Sequence, residues 1–115
     1  MISIVYNDDY VIMSLSDLKR IDFLVFEKLK SHLLQIIDDA EADIYVDLRE
    51  VKFIDSNSFS GFKYVNDVAM KNGINLYFIN VSRELMELFT LADEDNDLNI
   101  RSASEVEHLR VVLAC

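Results

Sequence analysis

The sequence predicts an α/β fold, a mixed sheet of about five strands covered by about four helices. Two observations carry this. Short apolar segments of strand length alternate with longer segments of helical period, and a strand–helix–strand order in the middle implies parallel pairing with a crossover. In addition, two strand-like runs at the front are separated only by Asn7-Asp8-Asp9, which is turn chemistry and makes the sheet mixed.

The elements follow in order. Ile2, Ile4 and Tyr6 alternate with Ser3, Val5 and Asn7, and Tyr10 to Leu15 supplies the return strand of a hairpin. From Ile21 to Asp38 the period changes: Phe26, Leu29, Leu33 and Ile36 make the stripe of an amphipathic helix. Ile44 to Leu48 is a compact apolar strand, and Val51 to Ile54 is a second short apolar piece. Asp55-Ser56-Asn57-Ser58 is a run of capping residues, so a helix begins there. Phe59, Phe62, Val65 and Ala69 keep helical spacing until Gly73, which is free to take the left-handed conformation past the last turn. Ile74 to Val81 is a strand core. Ser82 caps a short helix with Glu84 in its first turn and Leu85, Met86 and Phe89 along it. After the acidic loop Asp93 to Asp97, Leu98-Asn99-Ile100 is a last strand. Ser102-Ala103-Ser104-Glu105 has capping-box spacing ahead of a final helix through Val106, Leu109 and Leu113.

The chain has 115 residues, no proline, two glycines and no visible linker or repeat, and it reads as one domain over residues 1–115. Hydrophobic residues make up 51%, enough for a real core, yet no run of about 18 apolar residues is present, so no membrane insertion is expected. The first nine residues lack a basic segment before an apolar one, as a secretory signal would have. A single cysteine, Cys115, forms no internal disulfide and suits a reducing cytoplasm. The formal net charge of -10 disfavours nucleic acid and anionic membrane surfaces, and it fits a basic protein partner better.

At Val46-Asp47-Leu48-Arg49-Glu50-Val51-Lys52-Phe53-Ile54-Asp55-Ser56 the chain resembles the signature of the STAS family, a strand ending in Asp-Leu, then apolar-Phe-Ile-Asp-Ser, then a helix. A second similar stretch is Gly73 to Ser82, followed by Leu85, Leu88-Phe89 and Leu91. The resemblance covers nearly the whole chain, which is similar to the bacterial anti-sigma factor antagonists. It implies a non-enzymatic, cytoplasmic partner switch. The unphosphorylated antagonist binds an anti-sigma factor that is also a serine kinase and so releases the sigma factor. The kinase phosphorylates the antagonist just after the signature Asp, and a phosphatase restores it.

On this sequence the resemblance implies partner binding through Asp55, Ser56, Asn57, Ser58 and Phe59, with Ser56 and Ser58 as candidate phosphoacceptors. The sequence after Asp55 departs from the family at three places. Asn57, which takes no phosphate, stands at the second hydroxyl position, and Ser58 and Ser60 stand where the family has glycines. Ser56 or Ser58 accepts phosphate instead, or the chain stays permanently binding-competent, or the module only docks. The plainer role of both serines is helix capping. The family's Gly-x-Leu-Asp has its counterpart at Ser16-Asp17-Leu18-Lys19, with a lysine at the acidic place and Asp17 or Asp22 as substitutes. The alternative function is a scaffold subunit in a larger complex, such as a lipid-transport ATPase. A homodimer is open in either case.

Other chemistry is set aside. Asp93, Asp95 and Asp97 begin like a calcium loop, but Leu98 and Ser104 replace the glycine and glutamate it needs. His32 and His108 have no ligand neighbours, and no glycine-rich phosphate loop exists, so no metal, cofactor or catalytic residue is expected. Phe59 and Phe62 have the spacing of core residues, although an exposed docking patch is the other use of such a pair.

Overall fold

The computed structural model describes residues 2–102. The elements are β1 (Ile2–Tyr6), β2 (Tyr10–Leu15), β3 (Arg20–Ile21), α1 (Phe23–Asp39), β4 (Asp43–Asp47), β5 (Phe53–Ile54), α2 (Ser56–Lys71), β6 (Leu76–Ile79), α3 (Arg83–Ala92) and β7 (Asn99–Arg101). Five strands form a mixed sheet in the order β1-β2-β4-β6-β7, with β1 antiparallel to β2 and every other pair parallel. The α/β class, the front hairpin and the five-stranded sheet agree with the sequence reading. Of the four expected helices, three lie among the described residues. The fourth lies outside them, as do His108, Cys115 and all of the capping box after Ser102.

The two faces of the sheet differ because strand side chains alternate. Val11, Met13, Leu15, Ile44, Val46, Leu48, Leu76 and Phe78 join one core with the buried stripes of α1 and α2 and with Leu85 and Phe89 of α3. Phenylalanines tie these layers together. Phe26 meets Phe62 with centroids 4.9 Å apart, Phe62 meets Phe78 at 5.2 Å, and Phe78 meets Phe89 at 5.5 Å. The expected α3 stripe is narrower than the sequence suggests, since Met86 is exposed while Leu85 and Phe89 are buried. On the opposite face Tyr10, Ile12, Tyr45 and Ile79 form a second cluster. There Tyr45 stacks on Tyr77 at 5.0 Å and meets Tyr10 edge-on at 6.2 Å.

Helix ends follow local chemistry. Ser82 Oγ accepts from the Leu85 amide at 3.2 Å and starts α3. Gly73, at φ 71°, closes α2: its amide bonds the Met70 carbonyl and the Ile74 amide bonds the Ala69 carbonyl, the paired bonds of a Schellman motif. The acidic loop is a folded turn. Asp93 is buried and accepts from the amides of Asp97 (3.0 Å) and Leu98 (2.9 Å), while Lys63 Nζ lies 3.5 Å from it and donates to the Ala92 carbonyl. Asn66, also buried, donates to the Asp97 carbonyl at 3.0 Å.

Candidate functional site

The sequence reading missed β3, and β3 organises the site. Arg20 and Ile21 pair in parallel with Phe53 and Ile54. Backbone bonds lock this small sheet: the amides of Lys52 and Phe53 donate to the Lys19 carbonyl at 2.7 and 3.2 Å, and the Asp55 amide donates to the Ile21 carbonyl at 3.1 Å. The residues that follow, Asp22 and Asp55, therefore emerge side by side. Each caps a helix. Asp22 Oδ1 accepts from the Val25 amide at 2.9 Å, and Asp55 Oδ1 accepts from the Ser58 amide at 2.8 Å. A signal for this was present, since Ile21-Asp22 and Ile54-Asp55 are the same dipeptide ahead of a helix. The Arg20 guanidinium lies over the Phe53 ring, 4.5 Å from its centroid. Of the substitutes considered for the acidic position, Asp22 is the one beside Asp55. Asp17 sits in a turn at φ 62°.

The Asp55 carboxyl is held below the usual carboxylate range. The largest cause is the Ser58 hydroxyl, although its Oγ completes no hydrogen bond, followed by the Ser58 amide. The Phe23 amide of the neighbouring helix and Arg20 add smaller effects in the same direction, against a desolvation cost. Asp55 is thus an ionised group fixed between two helix starts, where free N–H groups and the positive dipole ends favour negative charge.

The structure separates the predicted site residues. Asp55 is half-buried, and Ser56 and Asn57 are exposed in the first turn of α2. Ser58 is 0% exposed and its Oγ has no hydrogen-bond partner. Phe59 is 3% exposed and packs edge-on against Phe89 at 5.0 Å, so it is a core side chain rather than a surface contact, as is Phe62. Burial removes Ser58 from the accessible hydroxyls, because α2 turns its third residue inward under its own cap. Ser60 is exposed one turn along the helix from Ser56 and Asn57.

Two apolar clefts flank this turn. One, of about 380 Å³, lies between α1 and α2 and is lined by Phe23, Phe26, Asn57, Ser60, Gly61 and Tyr64 among others. The other, of about 390 Å³, lies between β5, α2 and α3 and is lined by Phe53, Ser56, Leu88 and Leu91, with Phe59 also contributing. Phe23 (52% exposed), Tyr64 (56%) and Leu91 (74%) line these clefts and keep large apolar surface in water. Helical periodicity does not find them, because it marks the core stripe and these lie off it. Among the described residues no group of three or more His, Cys, Asp or Glu is placed to hold a metal ion. His32 is exposed, and no helix among the described residues is long and apolar enough to cross a membrane.

The arrangement is a strand ending in Asp47 and followed by Leu48, a short strand ending in Ile54 and followed by the cap Asp55, and a helix whose first two residues are exposed. The sequence profile of the STAS domain matches residues 2–106. The chain belongs to the STAS domain family. No curated protein sequence matches it. Among solved structures, this STAS domain is similar to the unphosphorylated anti-sigma factor antagonist SpoIIAA, at 14% identity and a TM-score of 0.75, covering 100% of this chain and 98% of that one. It is also similar to an anti-sigma-factor antagonist (STAS) domain protein from Planctomyces limnophilus, at 17% identity and 0.76, covering 96% and 95%. A chain of the stressosome, described as a signal integration and transduction hub, matches at 14% identity and 0.64, covering 98% and 100%. At these identities the likeness is one of fold.

Proposed function

We propose that this STAS domain is a regulatory binding module of the anti-sigma factor antagonist kind. It docks a protein partner, an anti-sigma factor that is also a serine kinase, with the surface around the first turn of α2. One observation carries the reading: an exposed Ser56-Asn57 turn stands beside paired aspartate caps and between two apolar clefts. Large exposed apolar side chains give a partner area to bury, and the carboxylates suit a basic partner, in keeping with the net charge of -10.

Ser56 is then the acceptor through which a kinase breaks the complex and a phosphatase restores it. Of the two candidate serines it is the exposed one, and it is the first residue of α2. Phosphate at a helix N-terminus is favoured by the dipole and costs the fold little. It adds roughly 1.5 to 2 negative charges beside Asp55, which opposes docking on the same surface. Affinity purification from the native cells, with mass spectrometry of the peptide from Asp55 to Lys63, tests this. An anti-sigma kinase co-eluting with unmodified protein and absent when Ser56 carries phosphate is the expected result. A kinase that binds Ser56→Asp as tightly as the parent rules the switch out.

A second reading has its own support. Asn57 at the second hydroxyl position and the buried Ser58 leave a single accessible serine of the candidate pair, and the stressosome match is to a chain of a large assembly. In that reading the module is a permanent scaffold subunit. Stable co-purification with such an assembly, with Ser56 unmodified in every growth condition, selects it.

A further inference from the structure

The outer edge of β1 is built to pair, and nothing among the described residues pairs with it. The Asn7 amide donates to the Tyr10 carbonyl at 2.9 Å, which makes Asn7 and Tyr10 a hydrogen-bonded pair of the hairpin. Antiparallel strands alternate such pairs with open ones. With Val5 opposite Ile12 and Ser3 opposite Ser14, residues 3, 5 and 7 bond towards β2, while Ile2, Ile4 and Tyr6 point their N–H and C=O groups outward. Sheet edges are ordinarily guarded by charge, proline, a bulge or brevity. At the other edge β7 has three residues and carries Arg101. β1 has five residues, Ile-Ser-Ile-Val-Tyr, in unbroken register and with no charge, in a chain whose net charge is -10. Val5 is 47% exposed and Tyr6 61%.

We propose that β1 is a self-association edge: a second copy of this chain adds its own β1 antiparallel, joining two sheets about a two-fold axis at Ile4. In that register Ile4 faces its counterpart, Ile2 faces the partner's Tyr6 and Ser3 faces the partner's Val5. Every outward N–H and C=O of Ile2, Ile4 and Tyr6 then meets an outward group of the copy. Charge selects a second copy with this direction. A basic partner finds no acid on β1 to recognise. Antiparallel pairing carries the acidic Asp8-Asp9 turns of the two copies to opposite ends, about 27 Å apart at the rise of a strand, well beyond the screening length of about 8 Å. Parallel pairing sets those turns side by side at about 5 Å. No candidate site residue lies in β1, and the inference stands or falls independently of the proposed partner switch.

The test is the mass of the full-length protein in sedimentation equilibrium, from about 1 µM to about 1 mM, the range suited to a small, weak interface. Three proteins are compared: the parent, S3K/V5K and S3K/V5E. Ser3 and Val5 are exposed, and far-UV circular dichroism checks that each variant keeps the fold. The parent mass rises towards twice the monomer. S3K/V5K, which sets lysines opposite each other, weakens dimerisation at least tenfold although its net charge is smaller in magnitude (-10 + 2 = -8). S3K/V5E sets each introduced lysine opposite an introduced glutamate of the other copy and regains the dimer. Hydrogen exchange at the amides of Ile4 and Tyr6 slows as concentration rises. A parent that stays monomeric throughout overturns the proposal. So does a dimer that S3K/V5K leaves intact, and a monomeric S3K/V5E beside a dimeric parent overturns the register.

Discussion

Asp55 combines a structural and an electrostatic role on one carboxylate, and substitution separates them. Asparagine caps a helix as well as aspartate, whereas alanine does not. Asp55→Ala therefore costs about 1 kcal/mol in urea unfolding at neutral pH, within a range of about 0.5–2, and Asp55→Asn costs far less. The pH dependence has a definite sign. The folded-state pKa lies below its unfolded value, so the carboxylate stabilises the fold above the unfolded value of about 3.9, and this contribution is lost as pH falls through the lower, folded value. Urea midpoints measured from pH 5 down to pH 2 fall less steeply for Asp55→Asn than for the parent. Ser58 behaves in the opposite way to Ser56. Ser58→Asp places a carboxylate in a site with no exposed area and lowers the melting temperature sharply, whereas Ser56→Asp leaves it near the parent's. Gly61 is a third case. A Cβ there would lie 2.2 Å from the Phe26 ring, so Gly61→Ala forces α1 and α2 apart and destabilises by about 1–3 kcal/mol. Phe26→Leu in the same chain recovers part of that loss. Asp55 as a cap was legible in the sequence, since capping residues cluster ahead of an apolar stripe. The burial of Ser58 was not, because a serine in the first helical turn faces water or core according to what packs beside the helix.

At the scale of elements, the short β3–β5 pair matters out of proportion to its length. Two residues are too few to show a period, so Arg20-Ile21 reads as the approach to a helix until its partner Phe53-Ile54 is seen beside it. The pairing converts two distant Ile-Asp dipeptides into adjacent caps and aligns the starts of α1 and α2. The acidic loop shows the reverse relation of charge to role. Its carboxylates look like cation ligands in sequence, yet both oxygens of Asp93 accept loop amides, and Lys63 approaches the same group. Asp93→Ala leaves those partners unsatisfied and costs about 2–3 kcal/mol in urea unfolding. Millimolar calcium leaves the parent's melting temperature unchanged, because Asp93 is already used by the loop itself.

For the whole molecule, the sheet and helices act as a frame that presents one turn of α2 between two clefts. If that surface binds the partner, Phe23→Ala and Tyr64→Ala each weaken the complex by about 1–3 kcal/mol in calorimetric titration while changing the unfolding midpoint little. Both residues lie off the core stripe and on the cleft. Met70→Ala, an exposed apolar substitution outside both cleft linings, leaves affinity unchanged. The amino-acid sequence by itself determined the α/β class, the order of the main strands and helices, the caps Asp55 and Ser82, the stop at Gly73 and the family signature. These are local properties: periodicity, capping chemistry and a contiguous motif are written within a few residues of one another. Only the tertiary structure decided that Asp22 stands beside Asp55, that Ser56 faces water while Ser58 and Phe59 do not, and that Phe23, Tyr64 and Leu91 border one surface. The same is true of the unpaired edge of β1, which depends on strand order. Those facts depend on which segments lie against each other across tens of residues, and exposure is set by the neighbour that arrives rather than by the residue that receives it.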